Sequence, residues 1–182
     1  MAGHSDNVLD LPSFDGDAPK VLIVIAPYYG AIAARQLASA RAVLERAGAA
    51  HETVEMPGSL EIPTAIAIAH RQAEYDGYVA LGCVIRGRTS HYDVVVNESA
   101  RALATLGLAG ACIGNGIITV ENMEQAEERA DADRLDTAGG AAAAALHLIA
   151  LQRSMKKAGS GVGFRPGAFR HDAADRTGPD VA

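Results

Sequence analysis

Short apolar runs alternate with helical stripes along most of this chain. Residues 21–26 form an uninterrupted run rich in β-branched side chains, which is typical of a strand buried on both faces. Over residues 31–47, apolar side chains recur at helical spacing, and the pattern ends at Gly48. The same order then repeats. This alternation predicts right-handed βαβ units and a parallel sheet that is covered by helices on both faces.

Three more strands and four more helices are predicted on the same grounds. The strands cover residues 51–56, 78–85 and 111–119. The helices cover residues 61–74, 93–106, 123–130 and 139–157. The first of these strands mixes polar with apolar residues, which indicates an edge position. We therefore predict an α/β fold of three layers, α/β/α, around a four-stranded parallel sheet.

Two polar segments flank the predicted domain. Residues 1–19 are predicted to be a flexible arm, and residues 20–157 to form the α/β domain. From Ala158 onward, Gly, Pro, Arg, Asp and Ala follow no period, which favours a disordered tail over residues 158–182. The alternative is a docking segment that binds a neighbouring subunit through Phe164 and Phe169.

Composition excludes several classes of function. Sixteen Lys and Arg against 22 Asp and Glu leave a net charge of −6, whereas a general nucleic-acid-binding protein needs a basic face. The N-terminal residues resemble no signal peptide, and no run reaches the ~18 apolar residues that a membrane span requires. Cys83 and Cys112 lie in apolar runs, which indicates buried free thiols, and no spacing suggests a metal site. We predict a cytoplasmic protein without a metal.

Ligands of open parallel sheets bind beyond the carboxyl ends of the strands. The loop of residues 86–91 lies there, between a buried strand and a helix. Gly87 allows a ligand to approach the backbone, Arg88 adds charge, and Thr89 adds a hydroxyl donor at a helix start that favours anions. The loop is either a phosphate pocket or a capped helix start with an exposed arginine.

Four other side chains are candidates, three near these strand ends and one on a helix, each with a structural alternative. His91 is a candidate for proton transfer beside a phosphate, since histidine is the usual side chain for that role, although it could also cap or pack. Glu61 lies in the first turn of a helix, where a carboxylate is favourable on electrostatic grounds alone. Tyr28 could stack on a flat heterocycle or pack in the core. Arg129 ends an acidic helix, where solvated ion pairs would also explain it.

Four separated strings in this chain resemble the lumazine synthases, the penultimate enzymes of riboflavin biosynthesis. They are PGSLEIP at residues 57–63, LGCVIRGRTSHYD at 81–93, NES at 97–99 and NGIITVENMEQA at 115–126. They occur in the family's order, and the match runs from about residue 20 to residue 155. Four strings at consistent spacing are far more specific than any one motif.

The resemblance implies a flavodoxin-like subunit that assembles into pentamers, in some members paired or built into shells, with each active site shared by two neighbouring subunits. The implied reaction condenses 5-amino-6-ribitylaminouracil with 3,4-dihydroxy-2-butanone 4-phosphate to 6,7-dimethyl-8-ribityllumazine, and releases phosphate and water. No metal or organic cofactor is implied, and riboflavin synthase is a candidate partner. The alternative is a paralogue of low activity that binds flavin or lumazine, or forms a shell.

The resemblance also assigns roles to individual residues. His91 would transfer protons, and Tyr28 matches the aromatic residue that stacks on the pyrimidine ring. The phosphate would be held by Arg88, Thr89 and Arg129. The ring and the ribityl chain would be bound by two segments. One consists of Ser59, Leu60 and Glu61, and the other of Cys83, Val84 and Ile85.

The sequence departs from the family pattern in three places, and the first two motivate the paralogue alternative. Asn115 stands where many members carry a phenylalanine that faces the ring, so stacking on that side would be weaker. The family places a lysine just before the glycine that opens the last helix, whereas Thr137 and Ala138 precede Gly139 here. The segment from Ala158 lies beyond the family's usual end.

Overall fold

Four strands and five helices make up the part of the 182-residue chain that the computed structural model describes, residues 9–14 and 16–160. The strands are β1 Lys20–Ile25, β2 Ala50–Glu55, β3 Gly77–Ile85 and β4 Ile113–Val120. The helices are α1 Gly30–Arg46, α2 Glu61–Gln72, α3 His91–Leu108, α4 Met123–Ala130 and α5 Thr137–Ser160. Among these described helices, none is both long and apolar enough to cross a membrane.

The four strands form one parallel sheet in the order β2-β1-β3-β4. This confirms the predicted four-stranded parallel sheet and the edge position of β2. Ile25 at the end of β1 pairs with Leu81 of β3, which pairs with Gly116 of β4. Because all strands run in the same direction, their carboxyl ends lie along one edge of the sheet.

Helices cover both faces of this sheet. Side chains alternate along a strand, so Val21 and Ile23 of β1 pack in one cluster with α1 and α5. Leu22 and Val24 pack on the opposite face with α2 and α3. A third cluster joins α4 to the carboxyl ends of β3 and β4. The predicted three-layer α/β/α architecture is confirmed.

Helix α5 packs directly on the backbone of β4. A Cβ atom placed on Gly114 would lie 1.8 Å from the carbonyl oxygen of Ala141, and one on Gly116 would lie 3.0 Å from Ala141 Cβ. The run of alanines at the start of α5 and the two glycines of β4 therefore share one close contact. This contact sets the distance between the helix and the edge strand.

Two helices begin two residues earlier than the sequence pattern predicts. Helix α5 starts at Thr137 because Asp136 caps it, with Oδ1 accepting a hydrogen bond of 3.0 Å from the Gly139 N–H and another from the Ser39 hydroxyl. An aspartate ahead of a helical stripe is a recognisable N-cap signal that the prediction did not use. Helix α3 starts at His91, so this side chain belongs to the helix rather than to the preceding loop.

The N-terminal segment contacts the domain where the structure describes it. Leu11 and Phe14 are partly buried against the α1 and α5 cluster. The guanidinium of Arg153 in α5 lies 5.5 Å from the centre of the Phe14 ring and 3.3 Å from Asp17 Oδ2. These contacts fix this part of the predicted arm to α5. Residues 161–182, which include the two tail phenylalanines, lie outside the described residues.

Candidate active site

An open pocket of about 550 Å³ lies at the carboxyl ends of β1 and β3. Four segments line it: Tyr28 and Tyr29 after β1, residues 57–61 before and at the start of α2, the end of β3, and the loop before α3 together with the first turns of that helix, residues 87–95. Each of these segments follows a strand or opens a helix at the same edge of the sheet. The position is the one expected for a ligand site in an open parallel sheet.

Nine of the twelve predicted site residues line this pocket. They are Tyr28, Ser59, Leu60, Glu61, Cys83, Val84, Ile85, Thr89 and His91. The pocket also includes Tyr92 and Val95, which are not among the predicted site residues. The spacing of Val95 from His91 is i, i+4, which places both on one face of α3 and could have identified it.

Tyr28 presents its ring to solvent at the pocket. It is 75% exposed, and its ring meets that of Tyr29 edge-on with the ring centres 5.0 Å apart. This exposure excludes core packing, one of the two interpretations that the sequence left open. An exposed ring at a pocket is available to stack on a flat ligand.

The end of β3 is packed tightly against the segment that carries Ser59. Ser59 is buried, and a Cβ on Gly82 would lie 2.9 Å from its hydroxyl oxygen. Beneath the strand, the fully buried Gln36 of α1 donates hydrogen bonds of 3.0 and 2.9 Å to the carbonyls of Gly82 and Gly116. Both sides of Gly82 are thus occupied, so the backbone that leads into Cys83, Val84 and Ile85 is held in place.

His91 stands at the amino end of α3, beside the hydroxyl of Thr89. The His91 N–H donates to Thr89 Oγ1 at 3.4 Å, and Ser90 provides no side-chain cap for the helix. The first N–H groups of a helix favour an anion. The pocket therefore combines an imidazole that can exchange protons with an end that suits a phosphate.

Three predicted site residues do not line the pocket. Arg88 is exposed in the loop before α3. Asn115 is exposed on the edge strand β4, where its Oδ1 accepts a hydrogen bond of 3.1 Å from the Ile117 N–H. Arg129 lies on α4 and donates to the carbonyl of Gln125 at 3.3 Å. Within one chain, Asn115 and Arg129 are therefore separate from the groups that surround His91.

Comparison with known protein families confirms the resemblance seen in the four strings. The family model for 6,7-dimethyl-8-ribityllumazine synthase matches residues 18–153, which span β1 to most of α5. The chain belongs to the lumazine synthase family. The matched range contains every predicted site residue, including the three that lie outside the pocket.

Individual relatives carry the same name. A 6,7-dimethyl-8-ribityllumazine synthase from Jannaschia sp. is 70% identical over 166 residues, which cover 91% of this chain and 93% of the relative. Those from Sphingopyxis alaskensis and Methylocella silvestris are 53% and 56% identical, and each alignment covers 72% of this chain. The lumazine synthase similarity thus extends over most of the length of each protein.

The two cysteines of this lumazine synthase family member are free and buried. Burial raises the pKa of the Cys83 thiol to about 11, although this residue lines the pocket. Burial likewise raises the pKa of the Cys112 thiol. Both groups are therefore neutral thiols near pH 7. Among the described residues, no group of three or more His, Cys, Asp or Glu side chains could hold a metal ion.

The state of the thiols predicts slow alkylation of the folded protein. At pH 8 we expect iodoacetamide to modify Cys83 and Cys112 at least about ten-fold more slowly than in urea, because the thiolate is the reactive form and both groups are buried. The rate is lower in the folded protein because the raised pKa leaves less thiolate at any given pH. Mass spectrometry of timed samples measures the rates. Equal rates in folded and unfolded protein would contradict the prediction.

Proposed function

We propose that this chain condenses 5-amino-6-ribitylaminouracil with 3,4-dihydroxy-2-butanone 4-phosphate to 6,7-dimethyl-8-ribityllumazine in riboflavin biosynthesis. The observation that carries the proposal is the pocket that gathers Tyr28, Ser59, Cys83 and His91 in a chain 70% identical to a protein named for that product. The reaction joins two small molecules, and the pocket has two chemically distinct ends, an exposed aromatic ring and a helix amino terminus.

The chemistry needs positioning and proton transfer. The amine nitrogen of the pyrimidine attacks the ketone carbon of the butanone, and water leaves as the carbon–nitrogen double bond forms. A proton then leaves C3 as the C4–oxygen bond breaks and phosphate departs, which gives an enol at C3. The enol takes up a proton at C4 and becomes a ketone at C3, on which the second amine closes the ring with loss of water. Each step moves a proton to or from a reacting atom. A site that holds both substrates together contributes a high effective concentration, and one imidazole can transfer the protons.

The pyrimidine binds between Tyr28 and the end of β3. The exposed Tyr28 ring stacks on the heterocycle, and the backbone of residues 83–85, which Gln36 and Ser59 hold in place, lies along its edge. The ribityl hydroxyls bind Ser59 and Glu61 at the start of α2. This arrangement uses the rigid part of the pocket for the rigid part of the substrate.

The phosphate of the butanone binds at the amino end of α3. Thr89 supplies a hydroxyl, and the amino end of the helix, which no Ser90 side chain caps, favours an anion through its dipole. Arg88 adds a positive charge beside them. His91 then lies next to the phosphate-bearing carbons, where protons must be exchanged as phosphate leaves.

The assembly is a homo-oligomer built from pentamers, in which Asn115 and Arg129 of the partner subunit complete each pocket. Both residues lie away from the pocket of their own chain, on or beside the edge strand β4. Helix α3 supports the proposal further, since only Ser99 and Leu103 of its 18 residues are buried in the single chain. A helix that covers a sheet buries a whole stripe, so the exposed α3 side chains suit an interface between subunits.

The reaction takes place in the cytoplasm, in keeping with two free thiols in one chain. Riboflavin synthase is the candidate partner, because it would use the lumazine product in the final step of the pathway. A mixture of the two proteins analysed by sedimentation would test this contact, and separate boundaries at every concentration would argue against it.

A second candidate is the paralogue that binds lumazine or flavin with little turnover. The two observations that favour it are Asn115 in place of an aromatic residue and the absence of a lysine before Gly139. Just ahead of Thr137, the Asp136 carboxylate accepts a hydrogen bond from the Gly139 N–H, so a carboxylate rather than an ammonium group lies beside the first turn of α5.

The deciding experiment mixes purified protein with both substrates. Lumazine absorbance and fluorescence report the product, and a phosphate assay reports the leaving group. Equimolar lumazine and phosphate would support the synthase. Tight binding of lumazine or flavin without product at saturating substrates would support the paralogue instead.

Mixing two inactive variants tests whether sites are shared. His91→Ala removes a pocket residue, and Arg129→Ala removes a residue that we assign to the neighbouring site. In oligomers formed from equal amounts of both, about one quarter of the sites combine an intact pocket with an intact Arg129. We therefore expect co-refolded protein to regain about one quarter of wild-type kcat.

The control for this experiment is each variant refolded alone, which should stay at its own low rate. If each pocket were completed within one chain, every subunit of the mixture would lack either His91 or Arg129. The mixture would then show only the average of the two separate rates, and this result would contradict the shared site.

A further inference from the structure

Arg86 connects three parts of the fold at the edge of the pocket, namely the end of β3, the first turn of α3 and the turn after β4. It is not among the residues predicted to take part in the reaction. It follows directly after β3, and its N–H donates a hydrogen bond of 2.9 Å to the Val120 carbonyl at the end of β4. Its guanidinium lies 3.1 Å from Asp93 Oδ1 and 2.9 Å from Glu121 Oε2. The same group lies 4.0 Å from the centre of the Tyr92 ring.

Two of these contacts reach the first turn of α3. Tyr92 and Asp93 follow His91 directly, and Tyr92 itself lines the pocket. The preceding loop, residues 86–90, is exposed throughout, and Ser90 does not cap the helix. The contacts of Arg86 therefore tie the start of α3 to the end of the sheet.

The third contact reaches the turn between β4 and α4. The Glu121 N–H donates to Gln125 Oε1 at 2.9 Å, and the Gln125 carbonyl accepts a hydrogen bond of 3.3 Å from Arg129. A continuous series of contacts thus runs from the turn that carries His91, through Arg86, to the helix that carries Arg129. His91 belongs to the pocket of its own chain, whereas Arg129 is the residue that we assign to the neighbouring pocket.

We propose that Arg86 is a positioning residue for the reaction, which holds the first turn of α3 and the β4–α4 turn in fixed relation so that His91 meets the substrate at the correct distance. The inference rests on the proposed function. A planar guanidinium suits this place, because it can bind two carboxylates in its plane while its face covers an aromatic ring.

Because the side chains of this cluster are exposed to solvent, a positioning role of Arg86 can be distinguished from a contribution to stability. The side chains of Arg86, Asp93 and Glu121 are 39%, 53% and 58% exposed. Ion pairs this exposed contribute little to the free energy of folding. Losing them should therefore leave the fold intact and change the geometry of the first turn of α3, where a small displacement is costly for catalysis.

The test compares Arg86→Met with Lys20→Met. Lys20 lies at the amino end of β1, outside the pocket and on neither α3 nor β4. It is 46% exposed and, like Arg86, forms an ion pair and a cation–π contact, with Glu52 and Tyr75, so it is a matched control. We expect Arg86→Met to lower kcat about ten-fold, while KM for the pyrimidine stays within about two-fold because its binding segments are unchanged. Lys20→Met should alter neither value. Arg86→Lys should recover part of kcat, since it keeps the charge but cannot bind both carboxylates in one plane.

Hydrogen exchange of the same proteins gives a readout that does not depend on turnover. Peptides that cover residues 86–93 and 121–125 should exchange faster in Arg86→Met and at the wild-type rate in Lys20→Met. Wild-type kcat in Arg86→Met, or an equal loss in Lys20→Met, would overturn the proposal. If the wild-type chain makes no lumazine, the proposed function fails, and unchanged exchange in Arg86→Met would then overturn the positioning role separately.

Discussion

Replacing His91 with alanine is expected to lower kcat for lumazine formation by about 100-fold, the lower end of the contribution that a positioned proton-transfer group makes. The remaining pocket still brings both substrates together, so activity should not fall to the solution rate. The fold should survive, because His91 is exposed at the start of α3 and alanine is a better helix former. Steady-state assays with both substrates give kcat and KM, and light scattering gives the assembly size.

His70→Ala is the matched control for this experiment. His70 lies on α2 outside the pocket, where its ring meets Tyr78 edge-on with the ring centres 5.7 Å apart. The His70→Ala variant should therefore keep a kcat close to that of the wild type. If His91→Ala instead turns over at the wild-type rate, His91 has no part in proton transfer, and the pocket would work by positioning alone.

Gly114→Ala is expected to cause the largest loss of stability among alanine replacements of the glycines that the structure describes. The new Cβ would lie 1.8 Å from the Ala141 carbonyl oxygen, and this neighbour is helix backbone rather than a side chain that could rotate away. Helix α5 must therefore shift from the sheet. We expect a loss of about 3 kcal/mol, which lowers Tm by about 6–12 °C for a domain of this size.

The same glycine-to-alanine change at Gly107 is expected to raise the stability of the protein rather than lower it. Gly107 lies in α3 with nothing within 4 Å of an added Cβ. Alanine should stabilise the helix by about 0.5–1 kcal/mol. Thermal unfolding of both variants at one protomer concentration measures the difference, since oligomer stability depends on concentration. A Gly114→Ala protein as stable as wild type would show that α5 is not held against β4 as described.

The sheet could be predicted because its central strands are buried on both faces. Residues 21–25 and 78–83 must be apolar without interruption to lie between two layers of helices, and that run is visible in the sequence. Helix starts were less visible. The first turn of α5 depends on the Asp136 carboxylate, and the first turn of α3 is held by contacts of Arg86 with Tyr92 and Asp93.

The candidate site likewise contains some residues that could be identified from the sequence and others that could not. Tyr28, Glu61, Cys83 and His91 could be placed together from sequence, because parallel strands bring their carboxyl ends to one edge. Arg86 and Gln36 could not be recognised. Arg86 pairs with a residue 35 positions away, and Gln36 donates to a carbonyl 80 positions away. Such pairs leave no periodic signal, and their residue types are ordinary for a loop and a helix.

By itself the sequence determined the order of the elements, the parallel sheet, the family and the identity of the residues around His91. Each of these follows from local patterns, namely hydrophobic period, turn residues and contiguous motifs. Only the tertiary structure decided that Asn115 and Arg129 lie apart from the pocket of their own chain, and that Arg86 joins the start of α3 to the turn before α4. The physical reason is that distances between side chains are set by packing of whole elements, which residue spacing does not encode.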